Sequence, residues 1–198
     1  MANYDRKDTY YLKAKEEGYR SRASYKLLEI NDKFKLFHKN SKVLDLGAWP
    51  GGWLQVAKKL SPQGFIAGID LVEIEPIEGV YTVTGDACDD EKINDILEKA
   101  GGKFDIVMSD MSSKLTGIRE ADQAAICGIL ELALFVMQKT LKQNGVFIAK
   151  VFKGGDIDKI IKEARKLFGT IKRAELNATR KTSNEFYIIC LDYKATNV

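Results

Sequence analysis

Seven short apolar runs, at 43–46, 65–69, 80–83, 104–109, 145–151, 171–176 and 186–191, punctuate the chain. Helical patterns at 52–60, 91–100, 119–141 and 156–168 fall between most of them. Few architectures accept such alternation. A strand that returns parallel to its neighbour needs a crossover long enough to hold a helix, and such helices cover both faces of the sheet. The pattern therefore predicts an α/β fold with a mostly parallel, seven-stranded sheet. The last two runs are joined only by 177–185, which carries no helical pattern, so they are expected to form an antiparallel hairpin, with one antiparallel edge strand. No repeat, low-complexity tract or linker interrupts the chain, and 1–198 is expected to be a single domain. Ligands in such sheets bind beyond the C-terminal ends of the strands, which directs attention to 45–53, Asp70, Asp86, Asp110 and Lys150.

Several functions are disfavoured early. His38 is the only histidine, which argues against a histidine-based zinc site or a Ser-His-Asp triad. Cys88, Cys127 and Cys190 are widely spaced, lack a C-x-x-C pair and read as three buried thiols. No segment has the length of a membrane span or the look of a signal peptide, so a soluble, cytoplasmic protein is expected. The run at 86–91 (Asp86, Asp89, Asp90 and Glu91) reads as a ligand contact followed by a helix start, not as a metal site.

Charge is unevenly placed. The net charge is only +3, yet the first 26 residues hold seven Lys/Arg against four acids, and the rest of the chain is balanced. Five of the eight tyrosines lie in the same segment: Tyr4, Tyr10, Tyr11, Tyr19 and Tyr25. Cations interleaved with aromatics suit a polyanion with unpaired bases, so RNA is the expected partner of an arm at 1–26, the alternative on charge alone being a solvated arm with a docked helix. Lys7, Lys13, Lys15, Arg20 and Arg22 are its candidate phosphate contacts. Lys172, Arg173, Arg180 and Lys181 could widen the surface. After the arm, Ser21 is expected to cap a helix over 22–32.

The stretch K-V-L-D-L-G-A-W-P-G-G-W at 42–53 is a strand followed by a glycine-rich bend. It is not a dinucleotide fingerprint, because Trp49 stands where G-x-G-x-x-G requires its second glycine, and the chain has no P-loop. A ligand without a phosphate tail fits better, and S-adenosylmethionine is the common nucleoside-like cofactor of that kind. It needs close backbone approach at its amino-acid end, an acid for its ribose hydroxyls and tolerance of a cationic sulfur. Asp70, Asp86 and Asp110, at successive strand ends, can meet the last two needs.

These stretches, with G-I-D-L, G-D-A, V-M-S-D-M, K-V-F-K-G, S-N-E-F-Y and the upstream G-Y-R-S-R-A-S-Y-K-L, resemble the FtsJ-type (RrmJ-type) ribose 2′-O-methyltransferases over almost the whole chain. The resemblance implies a Rossmann-like class I S-adenosylmethionine-dependent methyltransferase fold. It also implies a catalytic set of Lys26, Asp110, Lys150 and Glu185, with cofactor contacts at Gly47, Gly51, Trp53, Asp70, Asp86 and Asp110. The implied substrate is large-subunit ribosomal RNA, at a uridine, and the implied enzyme is a monomer without metal. Transfer RNA, an mRNA cap, or a non-catalytic RNA-binding assembly factor are the alternatives. The chain departs from the family's usual pattern at Trp49, at Ser112-Ser113 and at Asn177-Ala178, which bears on the RNA target more than on the reaction. Lys150 would contact the 2′-oxygen, as a neutral base or as an orienting donor. Its place inside an apolar run, where a lysine is costly unless paired, supports a working role.

Overall fold

A computed structural model of the chain describes residues 9–113, 116–154, 156–180 and 183–195. Six helices and seven strands follow in the order α1 (Thr9–Glu16), α2 (Ser24–Phe34), β1 (Val43–Leu46), α3 (Gly52–Leu60), β2 (Ile66–Asp70), β3 (Val80–Thr84), α4 (Asp90–Ala100), β4 (Phe104–Ser109), α5 (Arg119–Thr140), β5 (Leu141–Phe152), α6 (Ile157–Leu167), β6 (Phe168–Ala174) and β7 (Glu185–Tyr193). The strands form one sheet in the order β3-β2-β1-β4-β5-β7-β6. The pairs among β1 to β5 are parallel, while β7 pairs antiparallel with both β5 and β6.

The expected α/β sheet is present, with the hairpin at its edge. Within the hairpin the reversed strand is β7, one place in, and β6 is outermost. Burial explains the order. Phe186 to Cys190 are all buried, whereas β6 buries only its end residues, Phe168 and Ala174, and tolerates the open edge. The core lies in two layers. Leu27 and Ile30 of α2 and Leu54 and Val56 of α3 cover one face of the sheet. Ile93 and Ile96 of α4, Leu134 and Met137 of α5, and Ala164 of α6 cover the other.

Local chemistry sets several boundaries. Asp89 caps α4 by accepting from Glu91 N and Lys92 N, and Gly101, with φ 63°, ends it. The expected cap at Ser21 is not formed. Helix α2 starts at Ser24, with Ala23 at its N-cap and no side-chain cap, and the Ser21 hydroxyl accepts only from Ala23 N at 3.1 Å. The Ser24 hydroxyl is instead spent on the Gly52 carbonyl at 3.0 Å, joining α2 to the start of α3. Of the three expected buried thiols only Cys190 is buried; Cys127, at the margin of the core, is half-buried and Cys88, in the turn before α4, is exposed.

The segment read as an arm is, from Thr9 on, a docked helix. Ala14 is buried, and Tyr10 and Tyr19 pack on the buried Tyr25, with ring centroids 5.5 and 5.8 Å away. These three rings hold α1 to α2 and are not free to stack on bases. No described helix is long and apolar enough to cross a membrane.

Candidate active site

Strand register brings the reactive side chains level. Leu46 pairs with Ile69 and with Ser109, and Ser109 pairs with Ala149. Gly47, Asp70, Asp110 and Lys150, each one residue further, therefore gather at one end of the sheet. The bend after β1 is pinned there by its backbone. Gly47 N and Ala48 N both donate to the Ile69 carbonyl, and Gly51 N closes a turn on Ala48 O at 2.7 Å. Gly47 has φ 72°, and a Cβ there would collide with Met111, so glycine is required on both counts.

Two clefts open at this bend. The larger, about 390 Å³, is lined by Gly47, Trp49, Asp70, Asp86, Asp110 and Met111, with Ile129 and Leu132 of α5. That volume falls in the range of small-molecule sites. Three carboxylates and no lysine or arginine stand among its described lining residues, so an anionic ligand would be repelled and a cationic one attracted. The smaller cleft shares Gly47, Trp49 and Asp110 with the larger and adds Asp45, Ser21 and Trp53. Trp49, more than half exposed, lines both.

Asp70 accepts from Trp49 N at 2.9 Å and Val72 N at 2.8 Å, which fixes its carboxylate at the rim. Asp86 accepts from Cys88 N at 2.9 Å. Gly51 lies outside both clefts, against Arg20 and Ile77, and serves the turn into α3 at φ 103°. Trp53 is buried; its indole donates to Ala23 O at 2.8 Å and its ring packs on Tyr187 at 5.8 Å.

The four residues expected to do the chemistry converge. Lys150 Nζ donates to the Asp110 carbonyl at 2.5 Å and lies 3.2 Å from Asp110 Oδ1. Lys26 Nζ is ion-paired with Glu185, and both side chains are about nine-tenths buried. Tyr187 joins the two pairs. Its hydroxyl donates to Asp110 Oδ1 at 2.5 Å, its ring centroid lies 5.6 Å from Lys26 Nζ, and in the sheet it stands opposite Lys150. Burial, then the carboxylates of Asp110 and Glu185, push the Tyr187 phenol well above its ordinary range. It stays protonated and acts as a donor to Asp110. Thr179 Oγ1 donates to Glu185 Oε1 at 3.1 Å and steadies the other pair.

Two residues escaped the sequence reading. Tyr187 ends the S-N-E-F-Y stretch but was given no role there, because its place beside the two pairs comes from register with Lys150. Asp45 did carry one: a carboxyl inside the apolar run V-L-D-L is as anomalous as a lysine in β5. It is 1% exposed, and its Oδ1 has no hydrogen-bond partner among the described residues. Burial, and then the charges of Asp110 and Asp70, raise its pKa well above the ordinary 3.8. The folded protein therefore holds this proton to a higher pH than the unfolded chain does. Stability falls as pH rises from the ordinary value toward the folded one. Asp45→Asn removes the titration. Urea midpoints should show wild type losing ground to the variant as pH climbs above about 4; a difference independent of pH would contradict this.

The expected RNA contacts fare differently. Arg20 is engaged by backbone: Nη1 donates to Glu75 O at 2.5 Å and Pro50 O at 3.3 Å, and Nη2 to Pro76 O at 2.8 Å. It braces the 71–79 loop against the bend. Arg22 donates to Ala178 O at 2.7 Å. Both were legible as cations, but not as cations already committed to carbonyls. Lys13 and Lys15 are exposed on α1, Lys13 beside Glu17 at 3.7 Å. Lys7 and Lys181 lie outside the described residues. Among the described residues no group of three His, Cys, Asp or Glu side chains could hold a metal ion.

Comparison with known proteins decides the family. The family described as FtsJ-like methyltransferase matches residues 19–193, from the turn before α2 to the end of β7. The chain belongs to the FtsJ-like methyltransferase family. Among curated FtsJ-like relatives, the ribosomal RNA large subunit methyltransferase E of Methanothrix thermoacetophila is 44% identical over 93% of this chain and 72% of its own length. The protein of the same name from Methanothermobacter thermautotrophicus is 42% identical over 96% of this chain and 91% of its own. A crystal structure from Plasmodium falciparum, described as a ribosomal RNA methyltransferase, superposes with a TM-score of 0.78 at 28% identity, covering 90% of this chain and all of that one. The FtsJ-like match thus spans both clefts and both ion pairs described above.

Proposed function

We propose that this methyltransferase moves a methyl group from S-adenosylmethionine to a ribose 2′-hydroxyl in large-subunit ribosomal RNA, with uridine as the acceptor the family resemblance suggests. The observation that carries the reading is the convergence of Lys26, Asp110, Lys150 and Glu185, from four separate parts of the chain, around Tyr187 and beside an acid-lined cleft. The names of the curated relatives support ribosomal RNA as the substrate.

The larger cleft fits the cofactor by size, by its carboxylates and by its lack of cations. Asp70 would accept from the ribose hydroxyls and Asp86 from the adenine edge. Gly47 allows close backbone approach. Asp45, whose Oδ1 has no hydrogen-bond partner among the described residues, lines the adjoining small cleft and offers it a buried polar atom. When bound, S-adenosylmethionine supplies a methyl already activated by a positive sulfur.

The acceptor side is left to the protein, because a 2′-hydroxyl is a very weak acid. Lysine has three N–H donors, and Asp110 engages Lys150 through two oxygens. As an ammonium it would keep a third donor for the acceptor oxygen, which is the orienting role. Asp110, itself held by Tyr187, fixes where Lys150 points. The Lys26–Glu185 pair, steadied by Thr179, walls the acceptor's other side. Alignment of this kind is worth roughly 7–11 kcal/mol in favourable cases.

The test is to incubate the protein with methyl-labelled S-adenosylmethionine and purified large ribosomal subunits, digest the RNA with alkali and locate the label. Label in an alkali-resistant dinucleotide of large-subunit RNA is expected. Label on transfer RNA alone, or on no RNA, would overturn the reading.

A further inference from the structure

Two ammonium groups from separate elements each lie against one ring at the far end of α2. Lys33 Nζ, in the last turn of α2, and Lys172 Nζ, on the edge strand β6, each lie 5.8 Å from the centroid of Phe34. Both lysines are exposed, and neither has a carboxylate partner among the described residues. The neighbouring acids are already engaged. Glu29 accepts from Asn177 N, Asn177 Nδ2 and Ala178 N; Asp32 faces Lys35 at 3.5 Å; Glu175 pairs with Lys153 at 3.0 Å and Arg173 at 3.2 Å. Two exposed cations held on one ring without an acid partner leave their positive charge available to an anion.

The seam leads away from the reaction centre. Lys33 is seven residues beyond Lys26, two helical turns on the same side of α2 and about 10 Å along its axis. Lys172 precedes Ala174 by two residues, so the two share a face of the sheet, and Ala174 is buried beneath α2. Ala174 pairs with Tyr187, which pairs with Lys150. Lys172 thus sits about 7 Å down the strand from the row that carries the reacting lysine. A chain of phosphodiesters leaving that row would meet both ammonium groups within a few nucleotides.

We propose that the Lys33–Phe34–Lys172 seam is a second RNA contact, which grips phosphates flanking the methylated nucleotide. It rests on the RNA methyl-transfer reading and names a surface that the N-terminal cations do not include. Phosphate contacts of this kind set register and orientation without reading sequence.

The test uses Lys33→Ala/Lys172→Ala and Lys33→Arg/Lys172→Arg double variants of the full chain. Binding to protein-free large-subunit rRNA is measured across about 50–200 mM salt, alongside steady-state methyl transfer to intact subunits. The alanine pair should bind rRNA about ten-fold more weakly at low salt, and its log K against log salt slope should be shallower by about 1.5. Its KM for subunits should rise by a similar factor with kcat and cofactor affinity unchanged. The arginine pair should restore all of these. Wild-type rRNA affinity and salt slope in the alanine pair would overturn the proposal. So would a loss seen on intact subunits but not on bare rRNA, which would assign the seam to an acidic protein partner. If wild type transfers no methyl while its rRNA binding still depends on these lysines, the seam stands and the functional reading falls.

Discussion

Lys150→Ala is expected to lower the methyl-transfer rate by about 10²–10⁴-fold while leaving cofactor affinity within about two-fold of wild type. The first half follows from position. Lys150 Nζ is nearly buried, sits beside both the acid-lined cleft and the Lys26–Glu185 pair, and is aimed by Asp110. Lys26, the other lysine beside Tyr187, is committed to Glu185 and is poorly placed to stand in. The second half follows from the cleft's lining, which does not include Lys150. Single-turnover rates and equilibrium titration with S-adenosylhomocysteine separate the two. A variant that keeps more than about a tenth of the rate, a barrier change under ~1.4 kcal/mol, would remove Lys150 from the acceptor oxygen. Loss of cofactor binding in step with rate would place it in the cofactor site instead.

The Lys26–Glu185 pair should show a large effect on stability, separable from its effect on rate. Each side chain is about nine-tenths buried, so removing one partner strands the other's charge in a poorly solvated place. Lys26→Met and Glu185→Met are each expected to cost about 3–5 kcal/mol. For a chain of this size that lowers the melting temperature by roughly 6–20 °C. The double Met variant strands neither charge and should recover most of the loss, since well-packed apolar replacements of buried pairs are often neutral or better. It should remain catalytically impaired, because the pair proposed to wall the acceptor is gone. Urea unfolding of the four proteins gives the coupling energy directly. Additive losses would mean that the pair does not act as a unit.

Legibility in the sequence tracked how local the determinant was. Strands β1 and β4 and helix α3 were readable to the residue, since an apolar run bounded by Asp, Gly or Ser leaves little freedom in phase. The edge hairpin was readable from the short 177–185 link. The order inside it was not, because that order depends on the buried run of β7 needing neighbours on both sides. Between an RNA-contacting arm and a docked helix the sequence could not choose at α1: it is eight residues long, buries only Ala14 fully, and its lysines and tyrosines look the same whether they meet RNA or each other. Tyr10, Tyr19 and Tyr25 are a tertiary cluster that no spacing rule reveals.

The site divided in the same way. Asp70, Asp86 and Asp110 stand where strand-end logic put them, and the two lysines of the expected set do meet their acids. What the sequence could not supply was the bridge. Tyr187 is one aromatic in the run F-Y-I-I-C until register sets it opposite Lys150 and brings its hydroxyl to Asp110. Arg20 is the reverse case. It looked like a phosphate contact, and folding commits its guanidinium to three backbone carbonyls around the bend.

On the proposed function, a sulfonium-bearing nucleoside and a ribose hydroxyl meet at Lys150. A crystal structure with S-adenosylhomocysteine and a short RNA containing the methylated position tests it most directly. The account predicts adenosine in the cleft between Asp70 and Asp86, the thioether sulfur facing Asp110, and the 2′-oxygen within hydrogen-bond distance of Lys150 Nζ. Adenosine seated elsewhere, or a 2′-oxygen out of reach of Lys150, would contradict it.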